Sequence, residues 1–220
     1  MRPTRRSFLE QAAGVALAAG AGAAFAAGER TPPRTGGDLL SRMSWLNPPV
    51  AEHFNDGVLT VRSKGKTDFW RKTYYGYVTD NGHFMHLPVL GEFTLTARVN
   101  GGYGALYDQA GLMVRLDEKH WMKCGSEFVE GKRWASVVFT HDYSDWSTME
   151  DLSQTGAVWW RVVRRKDSIE AQCSKDGEKF TTIRQGYFPA DVTVMAGIMC
   201  AAPEGAGFDA MFDQLTIESA

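Results

Sequence analysis

Residues 120–128 read HWMKCGSEF. Side chains on a strand alternate between two faces, so a period of two separates strand from helix. Here the even positions are His120, Met122, Cys124, Ser126 and Phe128, and the odd ones are Trp121, Lys123, Gly125 and Glu127. The even set reads as a core face and the odd set as a polar, aromatic outer face. On that assignment Lys123→Ala is a surface change and Met122→Ala opens a cavity.

The same period runs outward in both directions. It recurs in VLTVRS (58–63), FTLTARV (93–99), GLMVRL (111–116), RWASVVFTH (133–141), VWWRVVRR (158–165), IEAQCS (169–174), VTVMAGIMC (192–200) and FDAMF (208–212). Turn signals separate these runs: NDG at 55–57, DNG at 80–82, NGGYG at 100–104, EGK at 130–132 and KDGEK at 175–179. No helical run of comparable length occurs. Many short strands at this spacing imply an all-β chain folded as an antiparallel sandwich or barrel. Gly111, Gly125 and Gly197 fall on non-core faces, where a missing side chain lets something approach the backbone closely. Near the C-terminus Phe208, Ala210 and Phe212 share a parity that Leu215 and Ile217 do not. A bulge at Asp213-Gln214 would restore the face.

The first 26 residues are a different kind of sequence. A basic head with Arg2, Arg5 and Arg6 precedes an Ala/Gly run that ends at Ala24-Phe25-Ala26. Arg5-Arg6 ahead of Phe8-Leu9 resembles a twin-arginine export signal with a small-x-small cleavage site. The expected organisation is therefore a signal peptide over 1–26, a flexible Pro/Gly linker over 27–42 and one sandwich domain over 43–218. It places the protein in the periplasm or outside the cell, with no stable membrane insertion after cleavage. The full chain has 220 residues, 44% apolar content and a formal charge of −2; without residues 1–26 the charge is −4. That size supports one core, and the charge gives no drive toward nucleic acid. The run VWWRVVRRKD accordingly reads as a solvated edge. Cys124, Cys173 and Cys200 alternate with apolar neighbours and read as small buried hydrophobes, with a Cys173–Cys200 disulfide as the alternative.

The segment DFWRKTYYG (68–76) does not fit either a buried strand or a washed loop, because rings and charges crowd together. Sugar rings stack on aromatic faces and need fixed polar partners at their hydroxyls; acidic sugars also need Arg or Lys. Asp68, Trp70, Arg71, Tyr74, Tyr75, Gln109, Arg115, Trp121, Lys123, Glu127, Asp145 and Trp146 form the candidate ligand-binding set. The competing reading makes Trp70 and Trp121 core residues. Catalysis would instead draw on Glu127 with a second carboxylate, Asp108 or Asp68, because glycoside hydrolysis needs a pair. None of the strand-like runs carries a Glu-x-Glu or Glu-x-Asp pair that would put two carboxylates on one face. His83 and His86 lie three apart and face opposite ways, so no metal site is expected, and no cofactor. His141, Ser144, Asp145 and Ser147 read as a loop that fixes Trp146, not as a catalytic triad.

DFWRKTYYG, LYDQAGLMVR, WMKCGSEF, SDWS and AGIMCAAPEGAGF together resemble the regulation-of-enolase-like family, in order and over Met43 to Ile217. The resemblance implies a concanavalin A-like jelly roll of two sheets, one of them curved, and glycan binding across the concave sheet as is common in that superfamily. It supplies no catalytic residue. The expected function is an exported protein that binds carbohydrate or another polar small ligand. A glycan-active hydrolase or lyase, and a protein-interaction module, are the alternatives.

Overall fold

The computed structural model describes residues 37–150 and 153–219. The stretch read as a signal peptide lies outside the described residues. A short helix, α1 (Gly37–Ser41), falls at the end of the stretch read as linker, and its Leu40 is buried in the core. The adjacent apolar pair Leu39-Leu40 explains why this end of the linker docks.

Two seven-stranded sheets follow. The first has the order β1 (Ser44–Leu46), β6 (His83–Val89), β15 (Val194–Ala201), β8 (Gln109–Arg115), β9 (His120–Val129), β10 (Lys132–His141) and β11 (Tyr143–Glu150). The second has the order β14 (Thr181–Tyr187), β13 (Ser168–Ser174), β12 (Val158–Arg165), β7 (Phe93–Gly101), β16 (Asp209–Ser219), β3 (Val58–Arg62) and β2 (Ala51–Asn55). Every strand pairing in them is antiparallel. This is the all-β sandwich expected from the alternation.

The main core lies between the sheets. Leu112, Val114, Met122, Cys124, Ala196 and Ile198 from the first meet Leu95, Val99, Trp160, Val162 and Phe212 from the second. The even face of β9 is thus core. The bulge also occurs: β16 shifts register against β7 between Asp213 and Thr216, and Gln214 adopts φ 52°. Leu215 is thereby returned to the core at 1% exposure. The three cysteines are buried as thiols, so the Cys173–Cys200 disulfide is not formed.

The odd face of β9 departs from expectation. Trp121, Lys123 and Glu127 are buried rather than solvated. The cause is a third layer, the hairpin β4 (Phe69–Arg71) and β5 (Val78–Asp80). It lays Phe69 and Trp70 on Phe84, Met113, Trp121, Val138 and Met199, making a second, smaller core on the outer face of the first sheet. Parity within one strand cannot reveal a layer supplied by a distant segment. Ser144, Asp145 and Ser147, read as part of a loop around Trp146, instead lie on edge strand β11, in register with β10 from Trp134↔Glu150 to His141↔Tyr143. In β12, Trp160 is core and Arg164 donates to the carbonyls of Pro189 and Val192, while the Arg161 guanidinium sits over Phe180.

Candidate functional site

The register of the first sheet arranges the floor of the site. Met113, Lys123, Val138 and Trp146 form one cross-strand row, and Gln109 pairs with Glu127 further along. Between these rows lies Gly125, opposite Gly111 and Ser136. A Cβ on Gly111 would collide with the Cys124 carbonyl, and one on Gly125 with the Ala110 carbonyl. What approaches these glycines closely is therefore the neighbouring strand. The missing side chain also leaves a cavity of about 10 Å³ bordered by Gln109, Lys123, Gly125, Glu127 and Ser136. That is room for about one water molecule.

The hairpin supplies the wall, and ion pairs fasten it. Arg71 and Lys72 reach Asp142 at 2.9 and 2.6 Å. Arg115 grips Asp80 with two hydrogen bonds of 2.6 and 2.8 Å. Lys123 Nζ donates to Asp68 Oδ1 at 3.2 Å and to the Phe69 carbonyl at 2.8 Å. Asn47 Nδ2 donates to the carbonyls of Asp80 and Gly82. The hairpin's connecting loop is tight, with positive φ at Lys72, Tyr74 and Gly76. It presents Tyr75 and Tyr77 to the pocket and leaves Tyr74 92% exposed.

The resulting pocket is walled by Trp70, Tyr75, Tyr77, Tyr107 and Trp146 and floored by Asp68, Gln109, Lys123, Glu127 and Val138, with an inner cavity of about 30 Å³. Trp70, Tyr75 and Trp146 also border an outer recess of about 570 Å³ with Thr73, Tyr74, Tyr143, Ser144 and Asp145. Four of the rings are linked in series. Trp70 meets Tyr75 edge-on at 5.7 Å, Tyr107 meets Trp146 edge-on at 6.4 Å, and the Tyr75 and Tyr107 hydroxyls stand 3.3 Å apart.

Charge in the pocket is unevenly compensated. Asp68 Oδ1 accepts from Lys123, from Gln109 Nε2 at 3.3 Å and from the Phe69 N–H at 2.7 Å. Glu127 Oε2 accepts from Trp146 Nε1 at 3.0 Å, and the same indole N–H reaches Ser136 Oγ at 3.0 Å. No Lys or Arg among the described residues forms an ion pair with Glu127. Burial raises the pKa of Glu127, Lys123 opposes the rise, and Asp68 adds to it. The Tyr107 phenol is pushed up to about 12, chiefly by its hydrogen bond to Tyr75 and by burial. Burial and the Asp68 charge raise Tyr77.

Seven of the residues singled out in the sequence therefore line one pocket: Asp68, Trp70, Tyr75, Gln109, Lys123, Glu127 and Trp146. Five do not reach its inner part. Arg71 and Arg115 are held in the ion pairs above, and Trp121 lies under Phe69 with ring centroids 6.2 Å apart. Tyr74 and Asp145 border only the outer recess, and Asp145 pairs with Arg184 at 2.9 Å. Asp108 is elsewhere employed: its Oδ2 accepts from the N–H groups of Gly104 and Ala105, which shapes their loop. His83 bridges the Asn47 carbonyl and the Lys64 N–H through its two ring nitrogens, a structural pin. Ser144 Oγ accepts from the Arg71 N–H and bonds Thr140, so it is no triad nucleophile. Sequence reasoning missed Tyr77 and Tyr107. Tyr77 stands in the same aromatic run as Tyr75, and Tyr107 sits beside Asp108 at positive φ.

Two antiparallel sheets packed face to face, with a hairpin laid over one of them, define a β-sandwich protein. Within that class, the chain belongs to the family described as "Protein of unknown function (DUF1349)", whose pattern matches residues 45–220. It is 38% identical over 178 residues to "Regulation of enolase protein 1" of Saccharomyces cerevisiae, covering 81% of this chain and 90% of that protein. It also resembles a solved, functionally unknown protein from Saccharomyces cerevisiae, with a TM-score of 0.79, 37% identity and coverage of 82% and 98%. At 11% identity it shares its fold with carbohydrate binding module CBM66 from Bacillus subtilis, with a TM-score of 0.55 and coverage of 81% and 96%.

Proposed function

We propose that this is an exported protein that binds a small polar ligand of carbohydrate type in the pocket beneath the hairpin. The observation that carries the reading is the join of two surfaces. An aromatic recess of about 570 Å³ shares Trp70, Tyr75 and Trp146 with a pocket whose floor is charged. Pockets of roughly 300–1,000 Å³ with apolar walls and a few fixed polar groups suit small-molecule recognition. A fold shared with a carbohydrate binding module is consistent with this. Hydrolysis by Glu127 with Asp68 fits less well, because the Asp68 carboxylate oxygen Oδ1 already serves three donors.

The test is a glycan screen on the purified protein, followed by NMR shift mapping with each hit. Binding is expected to perturb Tyr75, Tyr107, Lys123, Glu127 and Trp146 without release of new reducing ends. Shifts confined to the second sheet would contradict the site. New reducing ends that Glu127→Gln abolishes would establish the hydrolase instead. Export rests on Arg5-Arg6 and the Ala/Gly run. Changing both arginines to lysine should leave the precursor in the cytoplasm, and normal export of that variant would refute the twin-arginine assignment.

A further inference from the structure

The inner end of the pocket carries information about the ligand's charge. Cations near it are engaged by aspartates: Arg71 and Lys72 share Asp142, while Arg115 pairs with Asp80, Lys123 with Asp68 and Arg184 with Asp145. Among the described residues Lys123 is the cation that lines the pocket, and Asp68 already holds it, so the carboxylate of an acidic sugar would meet no unpaired cation there. The carboxylate of Glu127 is the opposite case. It is buried, it accepts from a neutral donor, the Trp146 indole, and the cation that acts on it, Lys123, is already paired with Asp68.

Five rings line the same pocket as that carboxylate: Trp70, Tyr75, Tyr77, Tyr107 and Trp146. Two pairs are near-perpendicular, at interplanar angles of 72° and 83°, and the Tyr75–Tyr107 hydroxyl contact joins them. Ring faces attract cations, most strongly where water is excluded, and alkylated ammonium groups suit such cages because they need no hydrogen-bond acceptors. The upward pKa shifts of Tyr77 and Tyr107 agree with a site that resists added negative charge.

We propose that the inner pocket is a cage for a methylated ammonium group, with Glu127 as its counter-ion, and that the outer recess holds the polar body carrying it. This rests on the binding function proposed above but not on the ligand's being a sugar. The full-length protein would be titrated calorimetrically with choline, with its uncharged isostere 3,3-dimethyl-1-butanol and with glucuronate. Choline should bind at least tenfold more tightly than the isostere, and glucuronate should not bind. Glu127→Gln should weaken choline at least tenfold and the isostere less than twofold. Tyr77→Leu, which keeps apolar bulk but removes a ring face at a half-exposed position, should weaken choline alone. Equal affinity for choline and its isostere, or no choline binding at millimolar concentration, would overturn the cage. Neutral glycan binding without choline binding would overturn the cage and leave the carbohydrate reading standing. Choline binding without any glycan would do the reverse.

Discussion

Lys123 and Glu127 lie four residues apart on β9 and set the electrostatics of the pocket in opposite ways. Lys123 is 5% exposed and joins the sheet to Asp68 and the Phe69 carbonyl of the hairpin. Removing it would leave a largely buried carboxylate without its cation. Lys123→Ala should therefore destabilise by about 3 kcal/mol, not by the few tenths expected of a surface change. Met122→Ala, on the opposite face, should cost about 2–5 kcal/mol through a cavity. A near-neutral Lys123→Ala in urea unfolding would show that the hairpin does not depend on this ion pair. Glu127 has a folded-state pKa above its unfolded one, because burial disfavours its charge. The resulting penalty is absent below the unfolded pKa, grows as pH rises between the two values and is complete above the folded one. Glu127→Gln keeps an acceptor for Trp146 but removes the charge. It should melt above the wild type at pH 8, with the gap closing by about pH 4. Identical melting across this range would mean that the ionised carboxylate is not strained by burial.

The hairpin is the element on which the site depends, and its attachment is titratable. Lys72 and then Arg71 hold Asp142 down to about 2. A depressed carboxylate stabilises above its unfolded pKa of about 3.9, and that contribution is lost as pH falls through the folded value. Amide exchange over residues 68–80 should therefore accelerate relative to β7 and β12 between about pH 4 and pH 2. Asp142→Asn should show the same loosening already at neutral pH. Uniform exchange across hairpin and core would indicate that Asp142 does not hold this element down. The hairpin is also what the sequence conceals. Alternation along β7, β9 and β16 identifies strands, inner faces and even the bulge at Gln214, because those are local patterns. Nothing local to HWMKCGSEF announces that DFWRKTYYG will cover its odd face. The residue types of the pocket were legible for the complementary reason: rings and charges crowded into one segment are costly unless they meet partners.

Across the whole molecule, two cores share one sheet. The larger holds the sandwich together, and the smaller attaches the hairpin that makes the pocket. The larger contains all three cysteines, and burial pushes the thiols of Cys124 and Cys200 up, which keeps them unreactive. A denatured sample should therefore titrate three thiols without reductant, and a count of one would reveal a disulfide. What alternation and turn residues could not convey is charge matching, since each aspartate that neutralises a pocket cation comes from a different element. That is why the sequence does not reveal that Arg71 and Arg115 are tied to Asp142 and Asp80, or that Asp145 is paired with Arg184 at the edge of the outer recess. The most direct test of the pocket compares the wild type with Tyr107→Ala and Trp146→Ala on one glycan and choline panel, with melting curves as controls. The wild type should bind at least one ligand. Each variant should fold and lose roughly thirtyfold in affinity, as the loss of an aromatic anchor of about 2 kcal/mol implies. A wild type that binds nothing, or variants that bind as well as it does, would contradict the account.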